Sequence, residues 1–583
     1  MLLVFLTLGV RSRSESFDYT YIIAGAGTCG LVLANRLSED PNVSVAIIEP
    51  GGDVRDNPNV TDIGTFAFTR NFGTEIDWEY ATTVQLGANN RSIPFHAGKA
   101  IGGTSTINGM TYIRGDKAEF DAWESLGNAG WNWDALYPYL KQVELFSPPT
   151  AAQRAAGATF IPEYHGEVGA VKTGFPLQLD NGSFHELARQ AWENIGYPLN
   201  KDVNGGDTRG FGIWPQTLDR DASVREDAAR AYYYPVEQRQ NLKIIKGTAI
   251  RLIWRDSLAD SGALSAAGIE YRTPDGQTAT VTAAKEVLLS AGSLRSPLIL
   301  EYSGIGNPRI LHKYGIETKI DLPGVGEHLQ DQPNTSIQYS SKSNVTGLAP
   351  YASFVTARDV FGDQTSTVAA KTKANLSEWA RIVSEASGEA VGASKLEKIF
   401  RVQHDLIFKR NVTIAETLTA ASGNAVGSAF WALLPFSWGS VHIKSAEEID
   451  HPIIDPRYFL VDFDVAVQKG VGRISQTLWH TIPISDLVTG NVVPGEADLP
   501  RNATDTQWEA FFANTVVPNH HPIGSASMMS RELWGVVDSR LKVYGTSNVR
   551  VVDASVLPMQ ISGHLTATLY AVAERAAEFI KNS

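Results

Sequence analysis

A single cysteine, Cys29, stands in 583 residues, so no intrachain disulfide can form. Its place inside a glycine turn reads as a small packed residue rather than a reactive thiol. The apolar run at the start, Leu2 to Val10, covers nine residues before Arg11, Ser12, Arg13 and Ser14 break it, too few to span a bilayer. Basic residues are outnumbered by acidic ones, 50 to 63. The net charge of −13 argues against nucleic acid and anionic membrane surfaces as partners. No long run of like charge, internal repeat or low-complexity segment appears, which leaves no sign of a disordered tail. No cluster with metal-ligand spacing is read here. What remains is a long chain, 43% apolar, able to bury large cores in about two domains or more.

The most informative stretch is Tyr19 to Gly52. Tyr21-Ile22-Ile23-Ala24 is short and β-branched, as a buried strand requires. Gly25-Ala26-Gly27-Thr28-Cys29-Gly30 follows, then a helical Leu31 to Leu37, then a second strand, Val45 to Ile48, ending on Glu49. Strand, glycine turn, helix, strand and acid in this order form the pattern of a dinucleotide site. Gly25 permits the tight turn, Gly27 lets backbone approach a pyrophosphate, and Gly30 lets helix and strand close up. The pyrophosphate is expected on free N–H groups at the helix start, where the macrodipole favours an anion, and Thr28 of the turn is counted among the cofactor-binding residues. Glu49 is placed to accept hydrogen bonds from a ribose. The turn alone does not separate NAD from FAD.

A second glycine cluster runs from Gly98 to Gly109 and includes Gly102, Gly103, Thr104 and Asn108. Backbone without side chains can wrap a ligand closely. From residue 240 the pattern turns to strands: Leu242–Ile245, Ile250–Trp254, Ala267–Tyr271, Gln277–Thr282 and Val287–Leu289. A helix over Pro297–Tyr302 follows. Val549 to Asp553 reads as one more buried strand ending on an acid. The last helix places Leu565, Leu569, Val572, Ala576 and Phe579 on one apolar face. The expected class is α/β, α+β overall. A discontinuous Rossmann-like cofactor domain (17–160, 225–325 and 531–583) joins a second domain (161–224 and 326–530) built on a large antiparallel or mixed sheet backed by helices. Residues 1–16 read as a candidate signal segment. Nine N-x-S/T sequons support secretion to the cell exterior or wall. Asn42, leading into a strand, is read as idle, and Asn59, Asn90, Asn181, Asn334, Asn344, Asn375, Asn411 and Asn502 as glycan acceptors.

Four segments together resemble the glucose–methanol–choline (GMC) flavoprotein oxidoreductases: the nucleotide turn with Glu49, Gly98 to Asn108, Gly292 to Gly306, and the terminal block from Asn519-His520-His521-Pro522 through Asp553 to Gly563-His564. The resemblance covers roughly residues 17 to 581 and implies FAD, with Gly102, Gly103, Thr104, Asn108 and Asp553 among its ligands. Gly102 to Met110, Val224 to Tyr232 and Tyr544 to Asp553 look most like the branch of fungal glucose oxidases and FAD-dependent glucose dehydrogenases. Some members attach flavin through a histidine where this chain has Ile107, which implies non-covalent FAD.

Oxidising an alcohol requires removal of the hydroxyl proton while hydride leaves carbon for flavin N5. A neutral histidine suits the proton step. The resemblance puts His521 and His564 in that role, and His564 precedes a helix whose N-terminus disfavours imidazolium. His520 is read as structural, pointing elsewhere along an extended segment. Glu416 and Asn519 match substrate-facing residues of the branch. Val517 stands where sugar-oxidising relatives carry arginine, and Trp438 stands where relatives usually have arginine. Losing a fork of up to five donors makes a sugar a poorer fit. The expected function is oxidation of a small, partly apolar alcohol, with oxygen or a quinone as acceptor, by a monomer or homodimer. Sugar oxidation and a non-redox lyase or cyclase that retains FAD stand as alternatives. A nicotinamide-dependent dehydrogenase is disfavoured by the two long signatures.

Overall fold

A computed structural model describes residues 17–64, 67–179, 184–256, 258–259 and 262–583. The candidate signal segment and Asn181 lie outside the described residues. Two sheets organise the rest. The first, seven-stranded, has a parallel centre in the order Leu242–Lys246, Val45–Glu49, Tyr19–Ala24, Thr278–Leu289. Its central strands bury apolar runs, and Ile22, Ile23, Ile47 and Leu288 are fully buried. Helix Thr28–Leu37 packs against the C-terminal helix Leu565–Lys581. That terminal helix buries Leu565, Val572 and Ala576, while Leu569 and Phe579 are half-buried at its flank.

The two strands expected at Gln277–Thr282 and Val287–Leu289 are one, Thr278–Leu289. Its first half pairs antiparallel with Ala266–Arg272, and its second half pairs parallel with Tyr19–Ala24 and Val549–Val551. The four residues between the expected strands form no turn. Ala283, Ala284, Lys285 and Glu286 include no strong turn former, so nothing stops the strand between its two partners.

The second sheet is six-stranded and antiparallel, in the order Val488–Val493, Pro333–Val345, Thr413–Ala432, Tyr351–Thr356, Gly210–Ile213, with Val517–Pro518 also on Pro333–Val345. Helix Asp462–Trp479 backs it. The strand Gly210–Ile213 thus brings the segment before residue 225 into this sheet. Among the described residues no helix is long and apolar enough to cross a membrane.

His442 ties the two regions together. Its Nδ1 lies 2.7 Å from Glu301 and its Nε2 3.1 Å from Glu327. Two carboxylates on two ring nitrogens require two N–H donors, hence an imidazolium. Burial alone would lower its pKa, but Glu301 and then Glu327 outweigh it and raise the value to about 10. The stabilisation is therefore complete below pH 6.5, the ordinary histidine value, and lost as pH rises towards 10. His442→Gln should destabilise the protein at about pH 6 and converge on the parent by about pH 10 in chemical-denaturation curves. A gap independent of pH would show that the ring is held neutral.

Candidate active site

The glycine turn is built by collisions that any side chain would cause. Gly25 has φ +103°, and a Cβ there would lie 2.5 Å from the carbonyl oxygen of Ser290. A Cβ on Gly30 would lie 2.0 Å from the carbonyl oxygen of Gly25. The helix begins at Thr28, earlier than its apolar residues indicate, with Gly27 as N-cap. Its first N–H groups therefore have no intrahelical partner. The second glycine cluster docks directly on the first: Gly102 N donates to Ala26 O at 2.8 Å, and a Cβ on Gly103 would sit 2.7 Å from Gly27 Cα. Arg225 pins this cluster from behind, donating to Ser105 O, Asn108 O and Asn108 Oδ1.

A cavity of about 530 Å³ is lined by Gly25, Gly27, Thr28, Glu49, Gly103, Thr104, Asn108 and Asp553 near the turns, and also by Asn519, His521 and His564. Gly30 and Gly102 are not among its walls; Gly30 lets backbone close up, and Gly102, at φ +113°, leaves room for the Thr106 methyl. Glu49 is buried, accepting from Ala26 N and Gly51 N, and burial raises its pKa to about 7 against those two bonds. Asp553 accepts from Gly292 N, Ser296 Oγ, Ser555 N and Ser555 Oγ, so it braces the turn at Gly292. Gly292 itself has φ +83° and open space where a Cβ would be, and Ser290 Oγ is buried on the wall without a partner.

Within the cavity the His521 and His564 rings meet edge to face, with centroids 4.9 Å apart. His564 is the N-cap of Leu565–Lys581, and its Nε2 lies 3.1 Å from Glu416 Oε1. Burial pushes Glu416 well above the usual carboxylate range and lowers His564 to about 3. Burial thus disfavours charge on both partners of this contact. Burial first, and then the neighbouring His564, hold His521 well below the ordinary histidine value. Both rings line the cavity.

The loop carrying His521 is not extended. His520 has φ +59°, which turns its side chain into a cluster with Phe72, Phe95 and His96. Three polar residues unseen in the sequence hold the loop. Asp331 accepts His521 N at 2.7 Å and the Tyr458 hydroxyl at 2.5 Å. Gln560 Nε2 donates to His521 O at 2.8 Å. Gln332 Oε1 lies 2.9 Å from His521 Nδ1. Asp331 and Gln332 in a polar stretch, and Gln560 far along the chain, give no sequence signal of this. Arg225, by contrast, lies inside one of the blocks that carry the family resemblance.

Three other expectations find their places. Val517 is on the cavity wall and 43% exposed, the large apolar side chain where an arginine was looked for. Trp438 is fully buried against Phe400 and His328, with Nε1 donating to Pro435 O. It does not line the cavity, so its exchange is a packing change and carries nothing about substrate. Asn334 lines the cavity and donates to Asn519 Oδ1 at 3.0 Å, a committed interior amide and no place for a glycan. Asn42, Asn90, Asn344 and Asn502 are exposed, and Asn59, Asn375 and Asn411 are half-buried.

Comparison with known proteins settles the family. The GMC oxidoreductase models match residues 19–334 and 435–573. The chain belongs to the GMC oxidoreductases. This oxidoreductase is 55% identical to the "Glucose oxidase-like protein fsoC" of Humicola fuscoatra over 99% of its length and 98% of that protein. It is 36% identical to a glucose oxidase of Aspergillus carbonarius, covering 96% and 92% of the two chains. A solved FAD-dependent oxidoreductase from Chaetomium thermophilum superposes with a TM-score of 0.88 at 30% identity, covering 97% of this chain and 99% of that one. A fungal aryl-alcohol oxidase superposes with a TM-score of 0.82 at 25% identity, covering 97% and 99%.

FAD is the cofactor of this enzyme family, and the residues present fit it. The helix start at Thr28 suits the pyrophosphate and Glu49 the ribose. The Gly292 turn leaves open space on the cavity wall, and the orphan Ser290 hydroxyl a polar atom without a protein partner. Bound there, the flavin supplies an acceptor for the hydride of a CH–OH group. Ile107 offers no nucleophilic atom for attachment. Acid precipitation should therefore release free flavin into the supernatant; yellow pellets would overturn the non-covalent assignment.

Proposed function

We propose that this GMC enzyme oxidises the hydroxyl of a small, partly apolar alcohol, such as an aryl alcohol or a secondary metabolite, in preference to glucose. The observation that carries this reading is Val517, exposed on the cavity wall beside Asn519, with Leu418 and Trp431 also on that wall. An apolar substrate face gains about 25 cal/mol per Å² removed from water there. A sugar hydroxyl buried without its partner costs about 1–3 kcal/mol, roughly one to two powers of ten in binding. His521 takes the hydroxyl proton, His564 with Glu416 holds the second neutral imidazole against the reacting centre, and Asn519 and Asn334 orient the substrate oxygen. Oxygen or a quinone reoxidises the enzyme.

The test is anaerobic flavin bleaching across sugars, aryl alcohols and small hydroxylated polyketides. Val517→Arg should then raise the efficiency for glucose relative to the best alcohol by about ten- to a hundredfold. A parent enzyme that already prefers glucose would sink the reading and leave Val517 a packing change beside an intact sugar site. That second reading, sugar oxidation, is favoured by the paired amides Asn519 and Asn334 and by relatives named glucose oxidase. Failure of every alcohol to bleach the flavin would favour the non-redox alternative. We further read the chain as secreted and glycosylated at Asn59, Asn90, Asn344, Asn375, Asn411 and Asn502, with a discontinuous cofactor domain, and as a monomer or homodimer. A mass shift on endoglycosidase treatment of the native protein checks the glycans.

A further inference from the structure

We propose that Gln332 is a positioning residue that selects the tautomer of His521, so that Nε2 presents its lone pair to the cavity. The inference rests on the reading of His521 as the base. Nδ1 of His521 has two polar neighbours of opposite character: Gln332 Oε1 at 2.9 Å, which can only accept, and Asn519 Nδ2 at 3.0 Å, which can only donate. The orientations of both amides are fixed from their far ends. Gln332 Nε2 donates to Leu433 O at 3.2 Å, which turns Oε1 towards the ring. Asn519 Oδ1 accepts from Asn334 Nδ2 at 3.0 Å, which turns Nδ2 towards it.

Each neighbour therefore supports a different tautomer. Opposite Gln332, Nδ1 carries the proton and Nε2 is bare. Opposite Asn519, Nδ1 is bare and Nε2 carries the proton, which leaves no acceptor for a hydroxyl. Asn519 Nδ2 has a second acceptor, Gln332 Oε1 at 3.0 Å, so it is satisfied without the ring. A carbonyl oxygen with two lone pairs takes both N–H groups at once. When Nε2 receives the substrate proton, Nδ1–H stays on Gln332 and nothing rearranges. Only the Gln332 partner serves both the neutral and the charged ring. Gln332 is fully buried and directly precedes the strand Pro333–Val345, which holds it at this distance.

The other groups facing His521 are His564, edge-on; Asp331, on the His521 backbone N–H; and Glu416, behind His564. His520 turns away into its aromatic cluster. The choice at Nδ1 thus lies between Gln332 and Asn519.

The test uses the holoenzyme with ¹⁵N-labelled histidine, in which protonated and bare ring nitrogens resonate in separate regions. The parent should show His521 bare at Nε2. Gln332→Leu should switch it to bare at Nδ1, and Gln332→Glu should keep Nε2 bare while moving the ring's titration upward by about a unit or more. Stopped-flow reduction by benzyl alcohol should show the acid limb of the glutamate variant moving by the same amount. A residue that merely packs would lower the rate equally at every pH and leave the tautomer alone. An unchanged tautomer in Gln332→Leu, or an unmoved titration in Gln332→Glu, overturns the proposal. If His521→Ala left reduction intact, the base assignment would fall instead, and the labelled spectra would still report the tautomer. Should the leucine variant not fold, the isosteric glutamate variant decides alone.

Discussion

His521→Ala is expected to slow anaerobic flavin reduction by about 10²–10⁴-fold, the usual worth of a positioned acid–base group, while FAD remains bound. The side-chain bonds of His521 run to Asn519 and Gln332 and none to the glycine turns, so the cofactor cradle is untouched by the change. Stopped-flow absorbance under nitrogen measures the rate, and the flavin-to-protein ratio checks binding. The pH dependence follows from burial. A base held well below the ordinary histidine value, first by burial and then by His564, stays deprotonated as the solution becomes mildly acidic. The parent rate should accordingly remain flat where an unperturbed histidine would already have lost activity. A rate unchanged in the alanine variant would remove His521 from the mechanism.

Gly25→Ala should produce protein that purifies with little or no FAD. Two effects add there. Alanine at φ +103° is strained, and its Cβ would press on the Ser290 carbonyl at 2.5 Å, which belongs to backbone and cannot swing away. Ser290 directly follows the strand Thr278–Leu289, so relief means pushing apart the two central strands under the cofactor. Where the variant relieves strain of about 1–3 kcal/mol by opening the turn, flavin binding weakens by roughly five- to a hundredfold. The collision adds to that. Gly276→Ala is the matched control: φ is +84°, with nothing within 4 Å of a Cβ. That variant should keep its flavin and lose only a little stability. Equal flavin loss in both would mean that backbone strain matters and the contact with Ser290 does not.

The parts of the fold legible in the sequence were those where backbone geometry dictates residue type. Gly25, Gly27 and Gly30 announced their turn because no other residue fits it, and the apolar parallel strands announced burial on both faces. The partners of Thr278–Leu289 were not legible, since a strand shared by two neighbours looks like two strands when only length and flanks are read. The candidate catalytic pair was found through resemblance, not through local pattern: a lone histidine carries almost no signal. Gln332, Asp331 and Gln560 were missed because their importance lies in long-range hydrogen bonds to one loop, and separations of 39 to 190 residues leave no periodicity. Asn334 shows the reverse failure. Its tripeptide is a valid sequon, yet the chain spends that amide on Asn519 inside the cavity. Trp438 looked like a change at the substrate and is a packing residue, because sequence position gives no direction to a side chain.

The strand Val549–Val551 has a bearing on how the chain is made. It completes the parallel sheet beside Val287–Leu289, and the helix after it covers Thr28–Leu37. On a ribosome moving at about 5–20 residues per second, the first helix waits roughly half a minute to two minutes for its carboxyl-terminal partner helix. Until then one edge of a highly apolar sheet, and the helix that starts the nucleotide turn, have no cover. The nascent chain must therefore be shielded from other chains, and flavin can be captured only once the carboxyl-terminal segment has emerged. Ribosome release, rather than folding of the amino-terminal half, should set when this enzyme turns yellow.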